Sequence, residues 1–142
     1  MDELLLSYTD RFRTSFELTH RKIGQAVFTE LATDLTMPQF FMLYMIRKEV
    51  SPKQSHLADK MGVKPSAITV MIDRLVQSKH VIRKHHDTDR RIVLVELTEH
   101  GKEVLKQAEE VHKQFMAKGL SQLPPDELRI LVESFEKLAS YY

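Results

Sequence analysis

Only once along the chain does the apolar spacing leave the helical period. Val81 to His85 and Ile92 to Leu97 are rich in β-branched residues, and the segment between them, His86-Asp87-Thr88-Asp89-Arg90, is polar and turn-prone. This reads as one two-stranded hairpin with a basic tip. Elsewhere the apolar residues recur at three and four, which predicts a mainly α chain with a small β-hairpin.

The helices are punctuated by prolines and capping residues. Tyr8, Phe12, Phe16, Ile23, Val27 and Leu31 keep helical spacing with no proline before Pro38, so a long first helix is expected, with Gly24 marking a bend or a close approach. Thr36 and Gln39 have the capping-box pattern, and Phe40, Leu43 and Ile46 supply the buried face of a second helix. Ser51-Pro52-Lys53-Gln54 repeats a capping pattern before Leu57, Ala58 and Met61, so a short third helix begins at Ser51 or one to two residues later and ends at Gly62. Pro65 opens a fourth helix whose Ile68, Met71, Ile72, Leu75 and Val76 form one stripe. Thr98 caps a fifth, with Val104, Leu105, Ala108, Val111 and Phe115 on one face. Pro124-Pro125 breaks the chain, and Leu128, Leu131, Val132, Phe135, Leu138, Ala139 and Tyr142 stripe a last helix.

Helix, tight turn, helix and then a basic hairpin is the winged helix-turn-helix order, in which the second helix enters the major groove. With the apolar stripe buried, Ser66, Val70, Asp73 and Gln77 turn outward, flanked by Thr69 and Arg74. Ser66 and Thr69 suit a base edge or a phosphate, Val70 suits a thymine methyl, and Arg74 suits a phosphate or a nearby acid. Lys64, Pro65 and Ala67 complete the candidate recognition segment.

Charge points the same way. Ser51 to Arg91 holds nine Lys/Arg against four aspartates, a net +5, whereas the whole chain is +1 and the remainder therefore −4. An isolated basic run is usually a solvated surface, but this one coincides with the helix-turn-helix and wing, so an anionic partner is expected. Lys53, Lys64, Lys79, Arg83 and Lys84 are candidate phosphate contacts.

Other chemistries find little support. The chain has no cysteine, which removes disulfides, thiolate zinc sites and thiol redox switches. His85 and His86 beside Asp87 and Asp89 are a weak metal candidate, because neighbours on a strand point to opposite faces; no metal, cofactor or catalytic residue is expected. No Gly-rich phosphate loop or nucleophile elbow is visible, so a hydrolase is disfavoured. His20 and His112 are expected as core histidines, and Phe12, Phe16, Phe40, Phe41, Tyr44 and Met45 as core. The acidic start, Met-Asp-Glu, is unlike a secretory signal, and the apolar run at Phe40 to Ile46 is far short of the roughly 20 residues a membrane span needs, so no membrane association and a cytoplasmic location are expected.

Several pieces together resemble the MarR family over about Leu35 to Gly101. They are Leu35-Thr36-x-x-Gln39-Phe40-x-x-Leu43, Leu57-Ala58-x-x-Met61-Gly62-Val63-x-x-Ser66-Ala67-Ile68-Thr69, Asp73-Arg74-Leu75, and Asp87-x-Asp89-Arg90-Arg91 ahead of Leu97-Thr98-Glu99-x-Gly101. The resemblance implies intertwined terminal helices in a homodimer, a wing arginine in the minor groove, and a cleft for a small aromatic effector. Carried onto this chain, Asp89 would steady Arg91 with Arg90 beside it, and Phe16, His20, Phe41 and Met45 are the candidate cleft.

The expected layout is one domain over 1–142: dimerisation helices at 1–34 and 118–142, the winged helix-turn-helix at 35–100, and a connecting helix at 99–118. The expected function is that of a homodimeric, ligand-responsive repressor on a pseudo-palindromic double-stranded DNA operator; the alternative is a winged helix used only as a protein-interaction module. Two departures from the family pattern stand out. His80 is read as occupying the place of a usual glycine after the recognition helix, with a left-handed backbone. Val70 stands where the family often has a basic or polar residue.

Overall fold

The computed structural model describes residues 2–142. The order is α1 (Glu3–Leu31), α2 (Met37–Glu49), α3 (Gln54–Met61), α4 (Pro65–Gln77), β1 (Val81–His85), β2 (Val93–Leu97), α5 (Glu99–Leu120) and α6 (Pro125–Tyr141). The chain divides into two compact units: Thr33–Ala108, and the terminal segments Met1–Ala32 with Glu109–Tyr142. The boundary at Glu109 falls inside α5.

The Thr33–Ala108 unit has its own dry core. Leu43 from α2, Leu57 from α3, Ile72 and Leu75 from α4 and Val95 from β2 are fully buried, and Leu105 of α5 closes the cluster. The capping box of α2 is formed: the Thr36 hydroxyl accepts from the Gln39 N–H at 3.4 Å, and the Gln39 side chain accepts from the Thr36 N–H at 2.8 Å. Gly62 ends α3 with φ 64°, the left-handed region that glycine enters freely. Pro65 sits in the first turn of α4, where its missing N–H costs nothing.

The hairpin pairs antiparallel with Arg83 opposite Val95 and His85 opposite Val93. It is not alone. Lys53 bridges Leu94, and the Val95 N–H donates to the Pro52 carbonyl at 3.0 Å, so the segment before α3 lies along β2. Ser51 is therefore not the helix cap its sequence suggests. Its φ is 51°, its hydroxyl donates to Glu96 Oε1 at 3.0 Å, and α3 starts at Gln54 behind Lys53, which caps nothing with its side chain.

The helix–wing junction corrects a second expectation. The His80 N–H donates to the Leu75 carbonyl and the Lys79 N–H to the Val76 carbonyl, at 2.9 and 3.0 Å, the double hydrogen bond of a Schellman helix end. In that motif the left-handed residue precedes the one that reaches back furthest. Lys79 takes φ 63°, and His80 is instead folded inward, 8% exposed. Across the junction the Thr98 hydroxyl caps α5 by accepting from the Gly101 N–H at 3.0 Å. Gly101 packs so closely that an added Cβ would lie 2.1 Å from the His80 carbonyl oxygen. Here glycine is required by close approach.

The unit made of Met1–Ala32 and Glu109–Tyr142 is built differently. Among its described residues only Val27 is buried. Phe12 and Phe16 on α1 gather with Phe135 on α6 at centroid distances of 5.6 to 6.4 Å, yet the three remain 38–52% exposed. An open apolar groove of about 430 Å³ runs past Phe12, Ile130, Leu131, Phe135 and Leu138. The aromatic residues assigned to the core are thus divided. Met45 is buried and Phe40 half-buried, whereas Phe12, Phe16, Phe41 and Tyr44 are exposed. His20 and His112 are exposed too, contrary to their reading as core histidines. α1 runs through Gly24 without a break, and a Cβ there would meet nothing within 4 Å, so no close approach explains that glycine.

Candidate nucleic-acid interface

The start of α4 is open to solvent. Lys64, Pro65, Ser66, Ala67, Thr69 and Val70 are all exposed, as are Asp73, Arg74 and Gln77 further along, while Ile68, Ile72 and Leu75 turn into the core. The helical period read from the sequence thus separates the two faces correctly. Val70 is 52% exposed, an apolar side chain on an otherwise polar face.

At the wing tip the Asp89 carboxylate holds Arg91 in a two-point grip. Arg91 Nε donates to Asp89 Oδ1 and Nη2 to Oδ2, both at 3.1 Å, and the Arg91 N–H adds a third bond at 3.0 Å. Those bonds, the side-chain pair first and the backbone one second, hold the Asp89 carboxyl below the usual carboxylate range. The Arg91 side chain is still 91% exposed. A planar guanidinium oriented on one edge and open on the others is suited to meet acceptors in a groove. Arg90 is exposed beside it, and its carbonyl accepts from His85 Nδ1 at 2.9 Å, which fixes the turn. His86 Nδ1 is occupied by Thr88, at 3.0 Å from its hydroxyl. Among the described residues no three His, Asp or Glu gather to hold a metal.

The candidate phosphate contacts fall into two kinds. Lys53, Lys64, Lys79 and Lys84 are exposed, Lys84 with its ammonium 2.8 Å from Glu96. That ammonium first, and the Ser51 hydroxyl second, lower the Glu96 carboxyl. Arg83 is half-buried and tied inward. Its Nη2 lies 2.6 Å from Asp73 Oδ1 on α4, and its Nε donates to Gln54 Oε1 on α3 at 3.0 Å. Gln54 in turn donates to the Thr69 hydroxyl at 3.1 Å. The sequence offered Gln54 only as part of a capping pattern and gave no sign of this bridge, because its partners are 15 and 29 residues away.

The candidate effector residues do not form one group within either unit. Phe16 and His20 stack at 6.4 Å on α1, Phe41 lies exposed on α2, and Met45 is buried in the core of the Thr33–Ala108 unit.

Under the wing, His80 and His100 rings approach to 4.6 Å, and Ser78 Oγ lies 2.6 Å from His80 Nδ1. Burial, and then the charge of His100, push the His80 imidazole below its ordinary range. It is favoured neutral.

Comparison with known proteins adds to this geometry. Residues 35–93 match the MarR family. The transcriptional repressor MdtR of Bacillus subtilis is 32% identical over 135 residues, covering 92% of this chain and 87% of that protein. RV1404 from Mycobacterium tuberculosis superposes with a TM-score of 0.85 at 28% identity, over 99% of this chain and 95% of that one. A MepR-like protein solved with pseudoligands is 37% identical, with a TM-score of 0.58 over 93% of this chain and 92% of that one. Sequence motifs, winged fold and relatives agree, and the chain belongs to the MarR family, whose members are transcription regulators and not enzymes.

Proposed function

We propose that this MarR-family chain is a homodimeric repressor that reads a pseudo-palindromic DNA operator through two copies of α4 and two wings. The observation that carries the reading is the open start of α4 on the same unit as an exposed, carboxylate-oriented Arg91. Ser66, Thr69 and Val70 offer contacts to base edges, and Lys53, Lys64, Lys79 and Lys84 offer charge to the phosphates. The Thr33–Ala108 unit carries thirteen Lys/Arg against nine acids, and the terminal segments eight against eleven. The excess of positive charge lies with the winged helix-turn-helix.

The dimer is inferred from the terminal helices. Phe12, Phe16, Ile130, Phe135 and Leu138 leave apolar surface open to water around the groove, the kind of surface that marks a protein contact, and a two-fold dimer matches a two-fold operator. Residues 1–34 and 118–142 serve as the dimerisation helices and 99–118 as the connector. Repression is favoured by the likeness to MdtR, and a bound effector, which we take to be a small aromatic molecule, by the likeness to a protein solved with pseudoligands. Phe16 and His20 on α1 and, separately, Phe41 and the buried Met45 on α2 are the candidate effector residues. Among the described residues no helix is long and apolar enough to cross a membrane, in keeping with a regulator that works in the cytoplasm beside DNA.

The test is binding to duplexes from around the protein's own gene at several salt concentrations, against random duplex. Tight, selective, salt-steep binding that Arg91→Ala weakens about tenfold or more without unfolding supports the reading. Weak binding to every duplex moves the assignment to a protein-interaction module.

A further inference from the structure

Arg83 is the cation of the basic segment that the fold engages most fully. Its guanidinium reaches two helices at once: Nη2 to Asp73 on α4, Nε to Gln54 at the start of α3, with the Thr69 carbonyl of α4 3.4 Å from Nη2. The Gln54 amide passes the link on to the Thr69 hydroxyl, which itself donates to the Pro65 carbonyl at 3.0 Å. One wing residue therefore connects β1, α3 and the first two turns of α4.

The charge arithmetic explains why this matters. Asp73 is an acid, 58% exposed in its side chain, on the face of α4 assigned to DNA, where an unpaired carboxylate would repel phosphates. Paired with Arg83 it is neutralised, and the pair as a whole attracts no polyanion. What it adds is geometry. Recognition requires α4 and the wing to meet their grooves together, and contacts of this kind tolerate little displacement.

We propose that Arg83 is a positioning residue and not a phosphate contact: through Asp73 and Gln54 it locks α4 to the wing and presents Thr69, so a substitution that keeps its charge but not its fork removes sequence selectivity while sparing electrostatic affinity. The proposal rests on the reading of α4 and the wing as the DNA surface. A lysine cannot replace the planar fork, since one ammonium does not span Asp73 and Gln54 in the same geometry.

The experiment uses full-length protein and two duplexes, one selected by the wild type from a random-sequence library and one unselected. Affinity for each is measured across a salt series for wild type, Arg83→Lys, Arg83→Gln, Asp73→Asn and the Asp73→Asn/Arg83→Lys double variant. The ratio of the two affinities is insensitive to partial loss of folded protein, so a general destabilisation does not move it. The expected result is a fall in that ratio of about tenfold in Arg83→Lys and in Asp73→Asn, with the double variant no worse than either, as for residues acting as a unit. The salt slope stays unchanged in Arg83→Lys, whereas Arg83→Gln, which leaves the Asp73 carboxylate unpaired, lowers the ratio and also weakens binding to both duplexes.

A phosphate contact gives the opposite pattern: Arg83→Lys binds normally, Arg83→Gln weakens both duplexes alike with a slope shallower by about one, and Asp73→Asn tightens both. That pattern, or unchanged ratios throughout, overturns the proposal. If the wild type selects no duplex at all, the DNA-reading assignment itself fails and the brace fails with it.

Discussion

The two units of this protein solve the burial problem in opposite ways. Thr33–Ala108 surrounds a core in which Leu43, Leu57, Ile72, Leu75 and Val95 are sealed from water, although it also carries the basic wing and the net positive charge. The terminal segments contain longer amphipathic helices, yet Val27 is the only buried residue described there. Five short elements and the start of α5 enclose a volume. Two long helices and the end of a third leave a face open. The first unit can hold a surface in register by itself, whereas the second reads as half of a core that a second copy completes.

That contrast can be broken first at a sealed position. Leu57→Ala removes a fully buried side chain and should cost about 3 kcal/mol, read as a lower denaturant midpoint with unchanged slope, whereas Leu5→Ala, at a side chain 54% exposed in the chain, should cost this unit nothing. Equal losses at a concentration where the chain is monomeric would show that the two units do not differ as described. Next in size, Gly101→Ala forces a methyl against the His80 carbonyl, and a destabilisation of about 2 kcal/mol is expected in thermal unfolding. A neutral result would mean that α5 can shift away from the wing junction at little cost.

The terminal unit is probed by charge. Leu138→Asp places a carboxylate in the open apolar groove and should weaken self-association by about tenfold or more in sedimentation, while the Thr33–Ala108 core keeps its packing. An unchanged mass distribution would send the dimer surface elsewhere.

Smaller effects sharpen the picture of the wing junction. His80 has its pKa lowered by burial and by His100, so the unfolded chain binds the proton more readily than the folded one. The stability this group protects is present above the free-histidine pKa of about 6.5 and falls as pH drops below it. His80→Gln should flatten the loss of stability between about pH 7.5 and 5.5; a wild-type curve level across that window would contradict the lowered pKa. Smallest of all, Lys79→Gly relieves a left-handed backbone at φ 63° and should raise the unfolding midpoint slightly, by roughly 0.5 kcal/mol after the added flexibility of glycine is set against it. A clear destabilisation would show that the Lys79 side chain has a packing role.

Much of the fold was legible because it is local. The Thr36–Gln39 box, Gly62, Pro65 and the α4 stripe each act within one or two helical turns, so spacing alone placed them. Ser51 misled for the complementary reason. Its residue type suits a cap, but Pro52 and Lys53 are drawn along β2 by bonds to Val95 and Leu94, some forty residues on. His80 misled by one position, because the helix end is set by which carbonyls the next two N–H groups reach and not by residue type.

What the sequence by itself determined is the set of elements, the faces of α4, the basic segment and the family, all of them consequences of short-range periodicity and motif spacing. Only the tertiary structure decided that Arg83 is spent on Asp73 and Gln54 while Arg91, held by Asp89, stays open to solvent. Both are arginines in one basic run. Which of them faces outward depends on side chains brought together across the fold, and no local pattern encodes that proximity.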